Sequence, residues 1–166
     1  GTILLKELGS YDDLVNLPIN VLYTNQDRRI KVLSNLAHAP FKLHERTYAS
    51  VEGFWQGLKI DDASRRSEIA GLYGMEAKKI GWDLESPQTF EYEGESYQSG
   101  SPGHWSLMAQ ACLAKFGQCA EAQAALLWTG ERPLVHRTKR DSTTIPGAIM
   151  AEILWKIRQR LQKKAD

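Results

Sequence analysis

Cysteine is nearly absent from this chain: two of 166 residues, Cys112 and Cys119. Two thiols make no disulfide framework. On a single helix, seven residues apart, their backbones stand roughly 10 Å from each other, too far for a bond. The partners that a zinc site requires are missing as well. No metal and no cofactor is expected, and both thiols read as reduced core residues. Long apolar runs are also absent: nothing reaches the about 20 residues that span a bilayer. No charged-then-apolar leader is seen, so the expectation is a cytoplasmic protein with no membrane partner. Charge of one sign is lacking too. Lys+Arg number 21 and Asp+Glu 20, a net of +1. That balance excludes binding of nucleic acid through bulk charge and leaves local nucleotide binding open. There is no internal repeat, no low-complexity tract, no Gly-rich phosphate loop, no paired CxxC and no Ser elbow motif.

What is present suits one globular domain over residues 1–166. The chain is 42% hydrophobic and 25% charged, with five Trp and four Phe. That is enough apolar material for a core, and too much for a disordered chain. SYDDLVNL (10–17) reads as a short helical turn capped by Ser10 and ended by Pro18. INVLY (19–23) reads as a strand, NQDRR (25–29) as a turn and IKVL (30–33) as a second strand. SNLAHAPF (34–41) is loop-like, and KLHERTY (42–48) suggests a short hairpin arm.

From Ser50 the period becomes helical. A first helix is expected over 50–59, with Val51, Phe54 and Leu58 inward. A second is expected over 64–80, stopped by Gly81. Residues 83–103 are expected to form a long loop with one extended piece, TFEYEG, and a loop of that length is usually functional. Residues 104–128 predict a helix with Leu107, Met108, Ala111, Ala114 and Leu126 inward. A last helix starts near Pro146, with Ile149, Ile153, Leu154, Ile157 and Leu161 inward. Lys163 and Lys164 complement its carboxyl end. The predicted class is α+β: one mostly helical domain with a small sheet from residues 19–48.

Three groups of residues could carry chemistry. Glu52, Gln56 and Lys59 fall on one stripe of the first helix. An acid in the first turn and a lysine in the last also simply suit the helix dipole. On the functional reading, an amine of lowered pKa is a nucleophile, and a carboxyl poised near neutrality protonates a leaving group. The second group is DSTTIPGAIM (141–150). Here Asp141, Thr143, Thr144 and Gly147 open a helix whose free amides suit an anion, although such caps begin most helices. The third is aromatic: Trp82 and Trp105 flank the long loop and could stack a base, or could be core. His104 could cap its helix or touch a phosphate.

These residues point to a family. LSNLAHAPFKLHERTYASVEGFWQGLK (33–59) resembles the opening signature of the NADAR, or YbiA-like, family. Leu33, Ser34 and Asn35 match its Leu-Ser-Asn, and Ser50, Glu52, Gln56 and Lys59 match its Ser-x-Glu-His-x-x-Gln-Ala-x-Lys. AKKIG (77–81), LMAQACLAKFGQ (107–118), LLWTGERPLVH (126–136) and ILWKIR (153–158) resemble its later stretches, in order. Three features depart from the pattern. Gly53 stands where the family has His, an Asp-Trp pair is missing near Gly100, and STTIPGA (142–148) replaces a Trp-Gly-x-Gly stretch.

The resemblance implies a YbiA-like fold and an N-glycosidase that cuts the bond between a ribose anomeric carbon and nitrogen. Family substrates are ribosylamino-pyrimidine intermediates of the riboflavin pathway, and ADP-ribose attached to guanine. It implies Lys59 as a Schiff-base nucleophile and Glu52 as the acid/base. The expected partner is a nucleotide or ADP-ribose-type ligand, including ADP-ribosylated nucleic acid. A module that only binds such a ligand is the competing class. With the glycine-rich stretch shortened, the phosphates are expected at Thr143, Thr144 and Gly147, with Arg28 and Arg29 folded over them. Ser34 and Asn35 are expected to bind ligand or to hold Glu52 in place.

Overall fold

The computed structural model describes residues 17–165. The helical turn expected at 10–17, with Ser10 as its cap, lies outside the described residues apart from Leu17. Among the described residues are seven helices and six short strands, an α+β domain as expected. The strands pair only two by two. β1 (Ile19–Asn20) runs parallel to β6 (Leu134–Val135), with Ile19 opposite Leu134. β2 (Phe41–Leu43) and β3 (Arg46–Tyr48) form an antiparallel hairpin, as do β4 (Thr89–Tyr92) and β5 (Glu95–Gln98). The single small sheet expected from residues 19–48 is therefore not formed: β1 takes its partner from far along the chain.

Both hairpins turn on two residues with positive φ. These are His44 (49°) and Glu45 (67°) in the first, and Glu93 (49°) and Gly94 (78°) in the second. Two such residues in a row give a turn whose twist matches the flanking strands. The second hairpin occupies the stretch expected as a loop with one extended piece. Its Glu93-Gly94 turn lies between two alternating tetrapeptides.

The expected strand at 30–33 is instead part of a helical turn, α1 (Arg28–Lys31). Asp27 caps it by accepting from the Arg29 amide at 2.9 Å, and a side-chain cap of this kind outweighs the short apolar alternation of IKVL. The helix expected at 50–59 is α2 (Val51–Gly57), capped by Ser50, whose Oγ accepts from the Gly53 amide. The helix expected at 64–80 is two, α3 (Ala63–Ala70) and α4 (Gly74–Asp83). They are separated where Gly74 takes φ +61° and donates its amide to the Leu36 carbonyl. The helix expected at 104–128 is likewise two, α5 (Pro102–Gln118) and α6 (Ala120–Trp128), meeting at an extended Cys119. Cys112 and Cys119 therefore do not share one helix, and both are free thiols. α7 (Gly147–Ala165) closes the described chain.

α2 lies at the centre. It packs on α3, α4, α5 and β3, and α5 in turn packs on α6, α7 and β2. Val51, Phe54, Leu58, Leu107, Met108, Ala111, Leu126, Leu154 and Ile157 are buried in one core, as their spacing predicted. Ala114, Ile149, Ile153 and Leu161 are partly buried against it.

Candidate active site

Every residue of α2 is buried except Glu52, which is half-buried. The helix is too short to be stable alone, so packing on all sides holds it. Its start is pinned twice to the α3–α4 connection. Ala49 donates its amide to the Ala70 carbonyl at 2.8 Å, and Ser50 Oγ donates to the Leu72 carbonyl at 2.7 Å. A third tie is the Glu52 amide, which donates to the Asn35 carbonyl at 2.9 Å. The Asn35 side chain turns inward, its Nδ2 lying 3.4 Å from Met150 Sδ and 3.9 Å from Met108 Sδ. Asn35 thus holds the first turn of α2 through its backbone and meets α5 and α7 through its amide.

Ser34 is buried, and its hydroxyl accepts from the Leu36 amide. Its carbonyl accepts from Lys115 Nζ at 2.8 Å. Lys115 is 1% exposed, and burial pushes its amine down to about 8. Sequence reasoning assigned Lys115 no role. A lysine inside the apolar run LMAQACLAKF was the available signal.

Glu52 and Lys59 are shifted in opposite senses. Burial raises the Glu52 carboxyl above its usual range, against a hydrogen bond from Gln56 and the charges of Lys59 and Lys78. Burial lowers the Lys59 amine, against the pull of Glu52. Gln56 Nε2 donates to Glu52 Oε1 at 2.7 Å. Lys59 Nζ reaches the Leu84 carbonyl at 3.4 Å. Among the described residues no direct ion pair joins Glu52 to Lys59, so neither charge cancels the other at contact distance.

His104 is buried and stacks face to face on Trp55, with ring centroids 3.8 Å apart. Its Nδ1 accepts from the Gly100 amide, which leaves the proton of the neutral ring on Nε2. Burial first, and then the charge of Lys59, push it down to about 4. His104 does not cap its helix; Ser101 Oγ does, by accepting from the His104 amide. Gln56 is hydrogen-bonded to Glu52, and the charge of Lys59 acts on both Glu52 and His104.

The start of α7 is organised differently from the expectation. Asp141 Oδ1 accepts from the Gly147 amide at 2.8 Å, and Ser142 Oγ accepts from the Thr144 and Ile145 amides. The chain's own carboxylate therefore takes the helix-start amide expected to face a phosphate, and neither Thr143 nor Thr144 is the cap. Gly147 serves close packing, since a Cβ there would fall on the His136 carbonyl. Thr143 is exposed; Thr144 is buried, and its carbonyl accepts from Trp105 Nε1 at 2.7 Å. Gly100 lies against Thr143 and Thr144, so this loop does meet the segment that leads to His104.

Arg28 and Arg29 are engaged elsewhere. Arg28 pairs with Glu121 of α6 at 2.8 Å. Arg29 pairs with Asp27 and lies 3.7 Å over the Trp128 ring. Trp82 is 67% exposed at the end of α4. Trp105 lines a groove of about 510 Å³ between α5 and α7, together with Leu113, Ile149 and Ile153. A second cavity, of about 580 Å³, runs along the β4–β5 hairpin and includes Asp61 and Arg66. Neither includes Glu52 or Lys59.

The chain belongs to the family of bacteriophage protein GP30.3, whose profile matches residues 29–158. That span includes the whole of the Glu52, Lys59 and His104 group. N-glycosidase YbiA of Escherichia coli K12 is 33% identical over 110 residues, 66% of this chain and 64% of that protein. N-glycosidase YbiA of Shigella boydii is 32% identical over the same shares. The chain thus aligns with about two thirds of the length of these relatives. The NMR structure of the E. coli protein YbiA superposes with a TM-score of 0.65 at 27% identity, covering 90% of this chain and 88% of that one. The resemblance to the NADAR family is borne out by both the sequence and the fold.

Proposed function

We propose that this chain is an N-glycosidase that hydrolyses the bond between ribose C1 and nitrogen in an ADP-ribose- or NAD-related nucleotide, with ADP-ribose on guanine as the leading substrate. The observation that carries this reading is a pair: the Glu52 carboxyl on α2, held toward its protonated form, and the Lys59 amine two residues beyond the end of α2, held toward its neutral form. The relatives named N-glycosidase support the reaction class.

The chemistry follows from those two states. Cleavage leaves positive charge on C1 and negative charge on the departing nitrogen. Protonated Glu52 gives its proton to that nitrogen as the C1–N bond breaks. The neutral Lys59 amine forms a new N–C1 bond and loses a proton to the Glu52 carboxylate. Glu52 passes that proton to the ring oxygen as the sugar ring opens, which turns the adduct into a Schiff base. Water then adds to C1 and gives a proton back to Glu52, the C1–Lys59 bond breaks, and the free sugar leaves with Lys59 restored. His104, neutral and donating from Nε2, suits a sugar hydroxyl beside Lys59. Asn35 and Gln56 hold Glu52 in place. Thr143, exposed beside Gly100, is the candidate of that loop for the distal part of the ligand.

The test is to incubate the protein separately with ADP-ribosylated guanine DNA, NAD and a ribosylamino-pyrimidine phosphate, and to follow cleavage of the ribose C1–N bond in each. Release of ADP-ribose, with the guanine left in the DNA, is expected, with a borohydride-trapped adduct on the native chain and none on Lys59→Ala. Release from the pyrimidine substrate alone would move the protein to the riboflavin-type reaction. No turnover of any substrate, with ADP-ribose still bound, would leave a binding module.

A further inference from the structure

Among the described residues, Gln56 Oε1 is the one buried side-chain polar atom without a hydrogen-bond partner. The residue is 7% exposed. Its other end is well placed, with Nε2 donating to Glu52 Oε1 at 2.7 Å. The carboxamide lies against Gly81 of α4, where an added Cβ would stand 2.7 Å from Nε2 and 3.2 Å from Oε1. Any larger residue at 81 would displace it.

Buried polar atoms are almost always paired, so an orphan acceptor beside an ionisable group requires an explanation. A carboxamide has a donor end and an acceptor end, and a half-turn about its last bond exchanges them. A carboxylate only accepts, whereas a carboxylic acid also donates. The side chain of Gln56 therefore has a use for each of its ends at Glu52, but not for both at once.

We propose that Gln56 is a positioning residue that serves Glu52 in both charge states by a half-turn of its carboxamide: Nε2 donates to the carboxylate, and Oε1 accepts from the carboxylic acid. The inference rests on the reading of Glu52 as the group that gives and regains a proton. In each state Glu52 keeps one hydrogen bond in one place; its one acidic proton turns from Gln56 Oε1 to the leaving nitrogen as the C1–N bond breaks, and Nε2 then takes the carboxylate. The orphan acceptor of the ionised state becomes the acceptor of the protonated one. The charges that act on Glu52 are Lys59, just beyond the end of its helix, and Lys78 of α4. The other elements packed on α2, namely α3, α5 and β3, add none that acts on Glu52 directly.

The test needs no substrate. The side-chain carboxyl of Glu52 is titrated by carbon-13 NMR in the full chain, native and Gln56→Met, and thermal melts are run on both at pH values above and below the midpoint. Service of both states predicts a midpoint moved by less than about half a pH unit, with the melting temperature lowered alike on both sides. If Nε2 only ever donates, the midpoint rises by about one unit or more, and the variant is destabilised above the midpoint alone; that result overturns the proposal. Should Gln56→Met fail to fold, the Gln56 side-chain amide of the native chain is followed by nitrogen-15 NMR through the titration of Glu52. Its N–H contact with the carboxylate should be lost when Glu52 is protonated, and an N–H still directed at the protonated Glu52 would overturn the proposal. Neither readout uses C1–N bond cleavage, so failure of the glycosidase reading and failure of this inference are seen separately.

Discussion

Gly53 occupies the position at which the NADAR signature carries His, and packing around it shows what a side chain there would meet. A Cβ on Gly53 would lie 2.7 Å from the Ile69 carbonyl oxygen and 3.0 Å from that of Leu72. Carbon and carbonyl oxygen ordinarily approach to about 3.3–3.6 Å. Gly53→Ala must therefore move α2 off the α3–α4 connection by about half an ångström, against backbone that Ser50 and Ala49 tie to it. Overpacking of this kind costs about 1–3 kcal/mol, and the better helix propensity of Ala returns about 1. Because the obstacle is backbone, the upper part of the range applies, for a net loss of about 1–2 kcal/mol. In a domain of this size that is roughly 2–8 °C in melting temperature. Gly57→Ala is the control on the same helix, since its Cβ would meet only Arg66 Cγ at 3.8 Å. Calorimetric melts should show Gly53→Ala below the native protein and Gly57→Ala level with it or above. Equal stability of the two variants would refute the packing argument.

Other consequences are open to direct measurement. Lys59 is half-buried with one long hydrogen bond, so Lys59→Ala should abolish C1–N bond cleavage while lowering the melting temperature by no more than about 2 °C. Retained turnover would remove Lys59 from the reaction. His104 titrates at about 4 in the folded chain against 6.5 ordinarily. Between those values the unfolded chain binds the extra proton, so stability falls as pH drops from 6.5 toward 4. His104→Phe, which keeps an aromatic ring against Trp55, should flatten that part of the melting curve. Lys115 titrates at about 8 against 10.5 ordinarily. Here too the unfolded chain holds more protons, so the folded state gains stability as pH rises from 8 to 10.5. Melts of Lys115→Met over that interval should lack the rise.

Much of the local architecture was legible in the residues alone. Apolar spacing marked the inward faces of α2, α5 and α7, and Ser50 and Pro146 marked two helix starts, because these signals act within a turn or two of helix. The stripe of Glu52, Gln56 and Lys59 was legible for the same reason, and the family resemblance rested on it. Breaks within helical sequence were not legible. Cys119 stands between α5 and α6 with only Gly117, still inside the last turn of α5, ahead of it, and IKVL became a helical turn once Asp27 capped it. What only the tertiary structure decided is the environment of the site. It gave β1 a partner 115 residues away, paired Arg28 with Glu121, and brought Asp141 onto the Gly147 amide. It also set His104 on Trp55 and closed α4 over Gln56. Burial, and the shifted proton affinities that come with it, depends on which distant segments exclude water from a side chain. No spacing within one segment contains that information.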